Sequence, residues 1–307
     1  MSLRERLTRG RLLALFLTFL FAFAVLPELV VRLMGAWGPG MGEALATFRS
    51  FAPLLAALAV QGPILNQPVM EPFGLTIRPE RSVLLAWSAP LLALVIGVLF
   101  AVLVWDLPLI LTEDALVAAK RAHLEGEALE RFEASLRRGE FTSPLSLVTM
   151  GMTGGVVLNF IPALAEEVGF RGFLFRELPG GFWARSLAIG VIWGIFFAPT
   201  AYLISLFPGH ELEGAALLFA FCVIVSPALT YLRIVTRSTI AVAIARAGFA
   251  ALTKVGADLT LGLPPTLSPP FGVAGLVGAA GLVALLFLLD RRGEGPRVFE
   301  AKAPKRA

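Results

Sequence analysis

Two adjacent glutamates followed by an arginine stand out in a chain that is otherwise strongly apolar. Glu166, Glu167 and Arg171 lie in the segment PALAEEVGFRGFL, directly after a long hydrophobic run. Ionisable side chains at membrane depth are costly and mark a functional site by default. On a helix, Glu167 and Arg171 share a face with the acid first, so we expect Arg171 to hold Glu167 ionised.

Glu166 points in a different direction, about 100° around the helix from Glu167, and has no cation nearby in sequence. A desolvated carboxylate of this kind can act as a general base for water. Pro162, four residues earlier, removes a backbone hydrogen bond and is expected to kink the helix and admit water there. The other interpretation is a Glu–Arg cluster that merely ends a membrane span.

The composition indicates an all-α polytopic membrane protein. Of 307 residues, 57% are hydrophobic and 16% are charged, and the mean hydropathy is +0.81. A soluble domain carries about 25% charged residues. The net charge is +4, but no basic stripe with interleaved aromatic residues is present, so nucleic acid is not an expected partner. A single cysteine, Cys222, excludes an internal disulfide.

Apolar runs predict about eight membrane spans in a single domain, residues 1–290. They are residues 12–34, 44–65, 83–110, 145–165, 182–207, 214–232, 239–261 and 271–289. Arginines and lysines cluster in alternate connections and at both ends, which predicts cytoplasmic termini. Compact loops and the lack of a transit peptide favour a prokaryotic plasma membrane. The basic cytoplasmic tail, residues 291–307, is expected to be disordered.

The connection at residues 113–142 is rich in charge yet repeats apolar residues at helical spacing. It predicts one or two amphipathic helices lying on the membrane; a gate for substrate is the alternative. Lys254 and Asp258, four residues apart on the seventh run, are expected to form a local ion pair. Glycines 151, 154 and 155 on the fourth run are expected to allow close helix contact.

The motif Glu166-Glu167-x3-Arg171, with Phe170 and Gly172 beside the arginine, resembles the signature of the CPBP membrane endopeptidases. That family includes the type-2 CAAX prenyl endopeptidase and bacteriocin-processing proteins. The resemblance runs from about residue 72 to residue 251, with further motif-like segments at residues 191–199 and 231–250. It implies a CPBP-type helical bundle and peptide-bond hydrolysis in or near the membrane. In the family a glutamate activates water, while histidines and an asparagine polarise the carbonyl or hold a metal.

This chain departs from the family at both histidine positions, which are Phe197 and Arg246, and Ala250 stands at the asparagine position. The chain's two histidines, His123 and His210, lie elsewhere in the sequence. A catalytic zinc needs about three protein ligands, so no zinc or other cofactor is expected. Arg246 either replaces a histidine as donor to an oxyanion or neutralises Glu166 in a structural ion pair; we favour the ion pair.

Four residues, Glu166, Glu167, Arg171 and Arg246, are therefore the candidate catalytic set, and Trp193, Phe197 and Asn159 are candidate substrate contacts. The sequence favours an endopeptidase-like protein that acts on membrane-associated or lipidated polypeptides with impaired or altered catalysis. A non-catalytic scaffold or polypeptide-binding relative is the second interpretation. A small-solute transporter is the third, although the polar residues concentrate in one cluster, expected on the cytoplasmic side. The expected partners are the lipid bilayer and a membrane-associated polypeptide.

Overall fold

The computed structural model describes residues 8–38, 40–76, 81–140, 143–293 and 297–300, and these contain helices but no strands. The α-helices are α1 (Arg9–Leu33), α2 (Met41–Arg49), α3 (Ala52–Ala59), α4 (Arg81–Trp105), α5 (Glu113–His123), α6 (Gly126–Arg137), α7 (Pro144–Met150), α8 (Val156–Glu167), α9 (Phe175–Glu177), α10 (Phe182–Phe197), α11 (Thr200–Leu203), α12 (Glu211–Thr236), α13 (Thr239–Ala251), α14 (Thr253–Leu259) and α15 (Val273–Arg292). The protein is an all-α polytopic membrane protein, as its composition predicts.

Seven helical segments within the described residues are long and apolar enough to cross a bilayer. Each corresponds to a predicted apolar run, with ends that differ by a few residues. The predicted seventh run forms α13 and α14, which are bent by 41° at a short break, and this pair makes an eighth span if it crosses as one unit. The pattern of spans was therefore predictable from hydropathy alone.

The fourth span is longer than predicted, because it continues past residue 165 as one helical segment, Pro144–Glu177. Two π-helical turns, Gly151–Gly155 and Val168–Leu174, join α7, α8 and α9 without a break. Every residue of the second turn is buried. The charged motif thus lies inside protein, within the helical segment and not at its end.

Helix α13 packs against α8 on one side and α4 on another. Small residues allow this close approach, since a Cβ on Gly155 would lie 2.9 Å from the Cβ of Ala251 and one on Gly248 would lie 2.4 Å from Pro90 Cγ. Gly154 has open space around it, so only part of the predicted glycine cluster makes the contact. The α8–α13 contact brings residues of the two helices together at the candidate site.

The connection after α4 forms two amphipathic helices, α5 and α6, as predicted, with Leu116 and Phe132 buried. The predicted ion pair of Lys254 with Asp258 is wrong. Asp258 is buried and its Oδ1 lies 3.1 Å from Lys120 Nζ on α5, while Lys254 is exposed. Tertiary packing therefore supplies the partner that a helical spacing of four residues does not.

The expectation of a disordered tail is wrong for residues 297–300, where Val298–Glu300 form a 3-10 turn. Phe299 is buried against Phe182, Trp183, Tyr231 and Phe287. The carboxylate of Asp290 accepts hydrogen bonds from the backbone N–H groups of Val298 (3.1 Å) and Phe299 (3.2 Å). One aromatic side chain thus anchors this part of the tail; residues 294–296 and 301–307 lie outside the described residues.

Candidate functional site

Glu166 and Arg246 face each other between α8 and α13. Arg246 Nη2 lies 3.2 Å from Glu166 Oε2, and the side chains are 6% (Arg246) and 3% (Glu166) exposed. The pairing follows from the close contact of the two helices, and it agrees with the expectation that Arg246 meets the glutamate without a local cation. Neither side chain makes a hydrogen bond to any described residue. The contact therefore compensates charge but leaves hydrogen-bonding capacity unused.

Glu167 and Arg171 form the second pair, and here the guanidinium also donates to other partners. Arg171 Nη1 donates to Glu167 Oε1 at 3.0 Å, and both side chains are 0% exposed. Arg171 Nη2 donates to Ser226 Oγ on α12 at 3.1 Å, and Ser226 Oγ donates to the carbonyl oxygen of Ser186 on α10 at 2.7 Å. This chain of contacts joins three spans, so Arg171 connects the fourth span to its neighbours.

Two aromatic residues of α10, Trp193 and Phe197, pack against the guanidinium groups of Arg171 and Arg246. The Trp193 ring is 4.7 Å from Arg171 Cζ and 5.2 Å from Arg246 Cζ, and the Phe197 ring is 4.8 Å from Arg246 Cζ. Cation–π contacts of this kind stabilise a guanidinium that has left water. Where the resemblance places a histidine, the structure therefore has an apolar ring that supports Arg246.

A cavity of about 380 Å³ lies beside the Glu166–Arg246 pair. Its wall includes Phe197 and Asn159, but the fully buried Trp193 is not part of it. Asn159 Nδ2 donates to the carbonyl oxygen of Gly155 in its own helix at 2.8 Å. Of the three predicted substrate contacts, Phe197 and Asn159 are on the cavity wall, whereas Trp193 is not and packs against Arg171 and Arg246.

The cavity extends toward one end of the bundle, because its wall also includes Glu43 at the start of α2 and Leu206 after α11. Following the spans in chain order puts these residues at the end opposite the start of α1 and the end of α15. The cavity thus extends from the charged pair toward the end of the bundle where α2 begins and α11 ends. The side of the membrane that this end faces stays a prediction.

Arg49 on α2 is a buried residue of this cavity that the sequence analysis missed. Its Nε and Nη2 donate to the carbonyl oxygen of Phe196 at 3.0 and 2.7 Å, and its Nη1 donates to that of Ala24 at 3.4 Å. A charged residue within an apolar run was the available signal. The principle that singles out Glu166, namely the cost of charge at membrane depth, applies equally to Arg49.

The sequence of this region matches a known family. Residues 149–252 fit the family described as type II CAAX prenyl endopeptidase Rce1-like. Over these residues the chain is similar to the CAAX protease family. The matched region contains both glutamates, Arg171 and Arg246, but not Arg49. No curated protein and no solved structure matches the chain.

The donor set of this CAAX protease relative does not fit a catalytic zinc. Within the described residues, no three side chains of His, Cys, Asp or Glu come together as a ligand group. His123 Nδ1 is 2.8 Å from the carbonyl oxygen of Ala119 in α5, and His210 Nδ1 is 2.7 Å from Glu213 Oε2. Neither histidine is part of the cavity wall, whose side chains offer Glu166 and Glu43 as the carboxylates. A metal-free protein nevertheless stays a prediction.

Proposed function

We propose that this membrane protein is of the CAAX protease type, that it binds a membrane-associated polypeptide in its cavity and that its hydrolytic activity is impaired or altered. The observation that carries the proposal is the position of Arg246. Its guanidinium lies 3.2 Å from the carboxylate that would have to activate water. A general base needs an oxygen free to receive a proton from that water.

The shape and chemistry of the cavity support binding of an extended, partly apolar chain. About 380 Å³ is within the range of pockets that enclose a ligand of drug size. Its wall combines apolar side chains, such as Phe197 and Phe271, with a few charged groups. A short polypeptide segment offers the same combination of apolar side chains and polar backbone.

An active peptidase is the second candidate, favoured by one specific observation. Arg246 Nε is buried and donates no hydrogen bond within the described part of the chain. A preorganised donor of this kind can stabilise the oxyanion of a tetrahedral intermediate. In that case Arg246 takes over the polarising role of a family histidine while Glu166 activates water.

The deciding experiment compares protein N-termini and C-termini in cells that carry the unaltered protein or Glu166→Gln at matched abundance. We expect the two sets of termini to be the same. Glu213→Gln is the matched control, since its carboxylate is exposed, pairs with His210 and is not part of the cavity wall. Cleavage products that disappear with Glu166→Gln alone would establish the active peptidase instead.

Polypeptide binding is tested in the same cells with a photo-crosslinking residue at Thr200, on the cavity wall. The control position is Leu103, which is 82% exposed on a membrane-spanning helix. We expect a polypeptide adduct at Thr200 that is absent at Leu103. Equal labelling at both positions would contradict a polypeptide site in the cavity.

A further inference from the structure

The inner part of the cavity carries more positive than negative charge. Arg49 and Arg246 are both on its wall, and Glu166 is the buried carboxylate beside them. The other buried pair, Glu167 with Arg171, balances itself and is not part of the wall. Glu43 is on the wall too, but it is exposed near the end of the bundle. Two guanidinium groups therefore share one carboxylate.

Arg49 has no carboxylate partner within ion-pair distance in the described chain, and Glu28 and Glu166 act on its charge only from farther away. Its Nε, Nη1 and Nη2 donate to backbone carbonyl oxygens, which satisfy hydrogen bonds but carry no net charge. A charge removed from water without a contacting counter-charge is strongly destabilised. A natural compensation is an anion that enters the cavity.

The balance of charges on the inner cavity wall favours an anion with a single negative charge. One surplus positive charge matches a group with a single negative charge, whereas a dianionic phosphate would be repelled by Glu166. Guanidinium groups bind carboxylates through paired N–H donors, with a planar geometry that both groups share. Arg246 Nε and Glu166 Oε2 are buried and have no hydrogen-bond partner in the described chain.

The uncharged residues of the cavity wall indicate what kind of molecule carries the carboxylate. Apolar residues of the wall include Ala46, Pro162, Ala163, Ile204 and Phe271, and its uncharged polar residues are Thr47, Ser50, Asn159, Thr200 and Thr253. A small hydrated anion would leave the apolar side chains in contact with water. An anion attached to an apolar chain buries them and places its charge at the inner end.

We propose that the cavity is a binding site for a carboxylate carried on an apolar chain, with Arg49 and Arg246 as its recognition residues. Two sources share this chemistry, namely a fatty acid from the bilayer and a carboxylate of a polypeptide. The site does not depend on the proposed function, because a fatty acid would occupy it even if no polypeptide binds. Arg49 lies outside the region that matches the family.

The test uses the full chain in nanodiscs and two matched ligand pairs: dodecanoate with its methyl ester, and an apolar hexapeptide with a free or an amidated C-terminus. The free carboxylate should bind about tenfold more tightly than its neutral partner in at least one pair. A preference in the first pair assigns the site to a lipid, and a preference in the second assigns it to a polypeptide. No preference in either pair overturns the proposal.

Arg49→Gln should remove the preference for the carboxylate, and Arg49→Lys should keep part of it. Arg131→Gln is the control, since it removes an exposed arginine that pairs with Glu127 on α6. A preference that survives in Arg49→Gln would contradict the role of Arg49.

A second measurement does not require that Arg49→Gln folds. A diazirine derivative of dodecanoate should label residues of the cavity wall, and excess dodecanoate, but not its ester, should prevent the labelling. Labelling confined to lipid-facing positions such as Leu103, together with no preference for the free hexapeptide over its amide, would overturn the proposal. The polypeptide adduct at Thr200 is read independently, so failure of the carboxylate site and failure of the proposed function are distinguishable.

Discussion

The two glutamates of the motif are neighbours in sequence, yet they end in different surroundings. Glu167 pairs with Arg171 on its own helical segment, and neither side chain is exposed at all. Glu166 pairs with Arg246 from another span, and both residues are on the wall of a cavity. A rotation of about 100° between adjacent helical residues separates a sealed pair from an accessible one.

This difference indicates that the two Glu–Arg pairs of the motif have different roles. Arg171 also donates to Ser226, and through it connects to the backbone of α10, so the sealed pair supports the bundle. The accessible pair has no hydrogen bond within the described residues and leaves Glu166 and Arg246 able to meet a ligand. We therefore expect changes in the sealed pair to act on stability and changes in the accessible pair to act mainly on binding.

The largest expected effect comes from Arg171→Met. It leaves the Glu167 carboxylate buried without its partner and removes the contact with Ser226. Breaking a buried pair by removing one member costs about 3–5 kcal/mol. Thermal unfolding and the yield of monodisperse protein in detergent measure the loss. Arg32→Met is the control, because the Arg32 and Glu28 side chains are 55% and 25% exposed and such pairs contribute about 0–1 kcal/mol. Equal stability of the two variants would contradict a supporting role for the sealed pair.

The sequence predicted those features that depend on local pattern. Hydropathy located the spans, and a spacing of four residues identified the Glu167–Arg171 pair. The partner of Glu166 lies eighty residues away in sequence, so it could be reached only through the family resemblance. Lys254 shows the converse error, since its local spacing was right but Asp258 turns to Lys120 on α5.

Other features depend on tertiary contacts that leave little trace in sequence. Arg49 is a charged residue within the predicted second span, and carbonyl oxygens of Phe196 and Ala24 hold it inside the bundle. The turn at residues 298–300 depends on the single apolar residue Phe299 finding an aromatic cluster from three other elements. A polar tail sequence gives no periodic signal for such an anchor.

The charge swap of the accessible pair sharpens the comparison. Glu166→Arg and Arg246→Glu each place two like charges side by side, and the double variant restores an opposite-charge contact at the same place. We expect each single variant to lose about 1–3 kcal/mol of stability, less than Arg171→Met, because the cavity gives the displaced groups access to water. The double variant should recover part of the loss, as a double-mutant cycle of thermal unfolding would measure. Purely additive losses would indicate that the two side chains do not interact.

The smallest expected effect is that of Lys120→Met, which breaks the contact between the amphipathic connection and the bent span. The side chains of this Lys120–Asp258 contact are more accessible than those of the Glu166–Arg246 pair, at 15% for Lys120 and 12% for Asp258. Pairs that water can reach contribute about 0–1 kcal/mol, and the contribution falls as salt screens it. Thermal unfolding at low and high salt should therefore show a small loss that shrinks with salt, while Lys254→Met, at an exposed site without this partner, shows none. A loss larger than that of Glu166→Arg would contradict the relation between side-chain accessibility and stability inferred from the two glutamates. It would indicate that the connection formed by α5 and α6, rather than the charged motif, holds α14 in place.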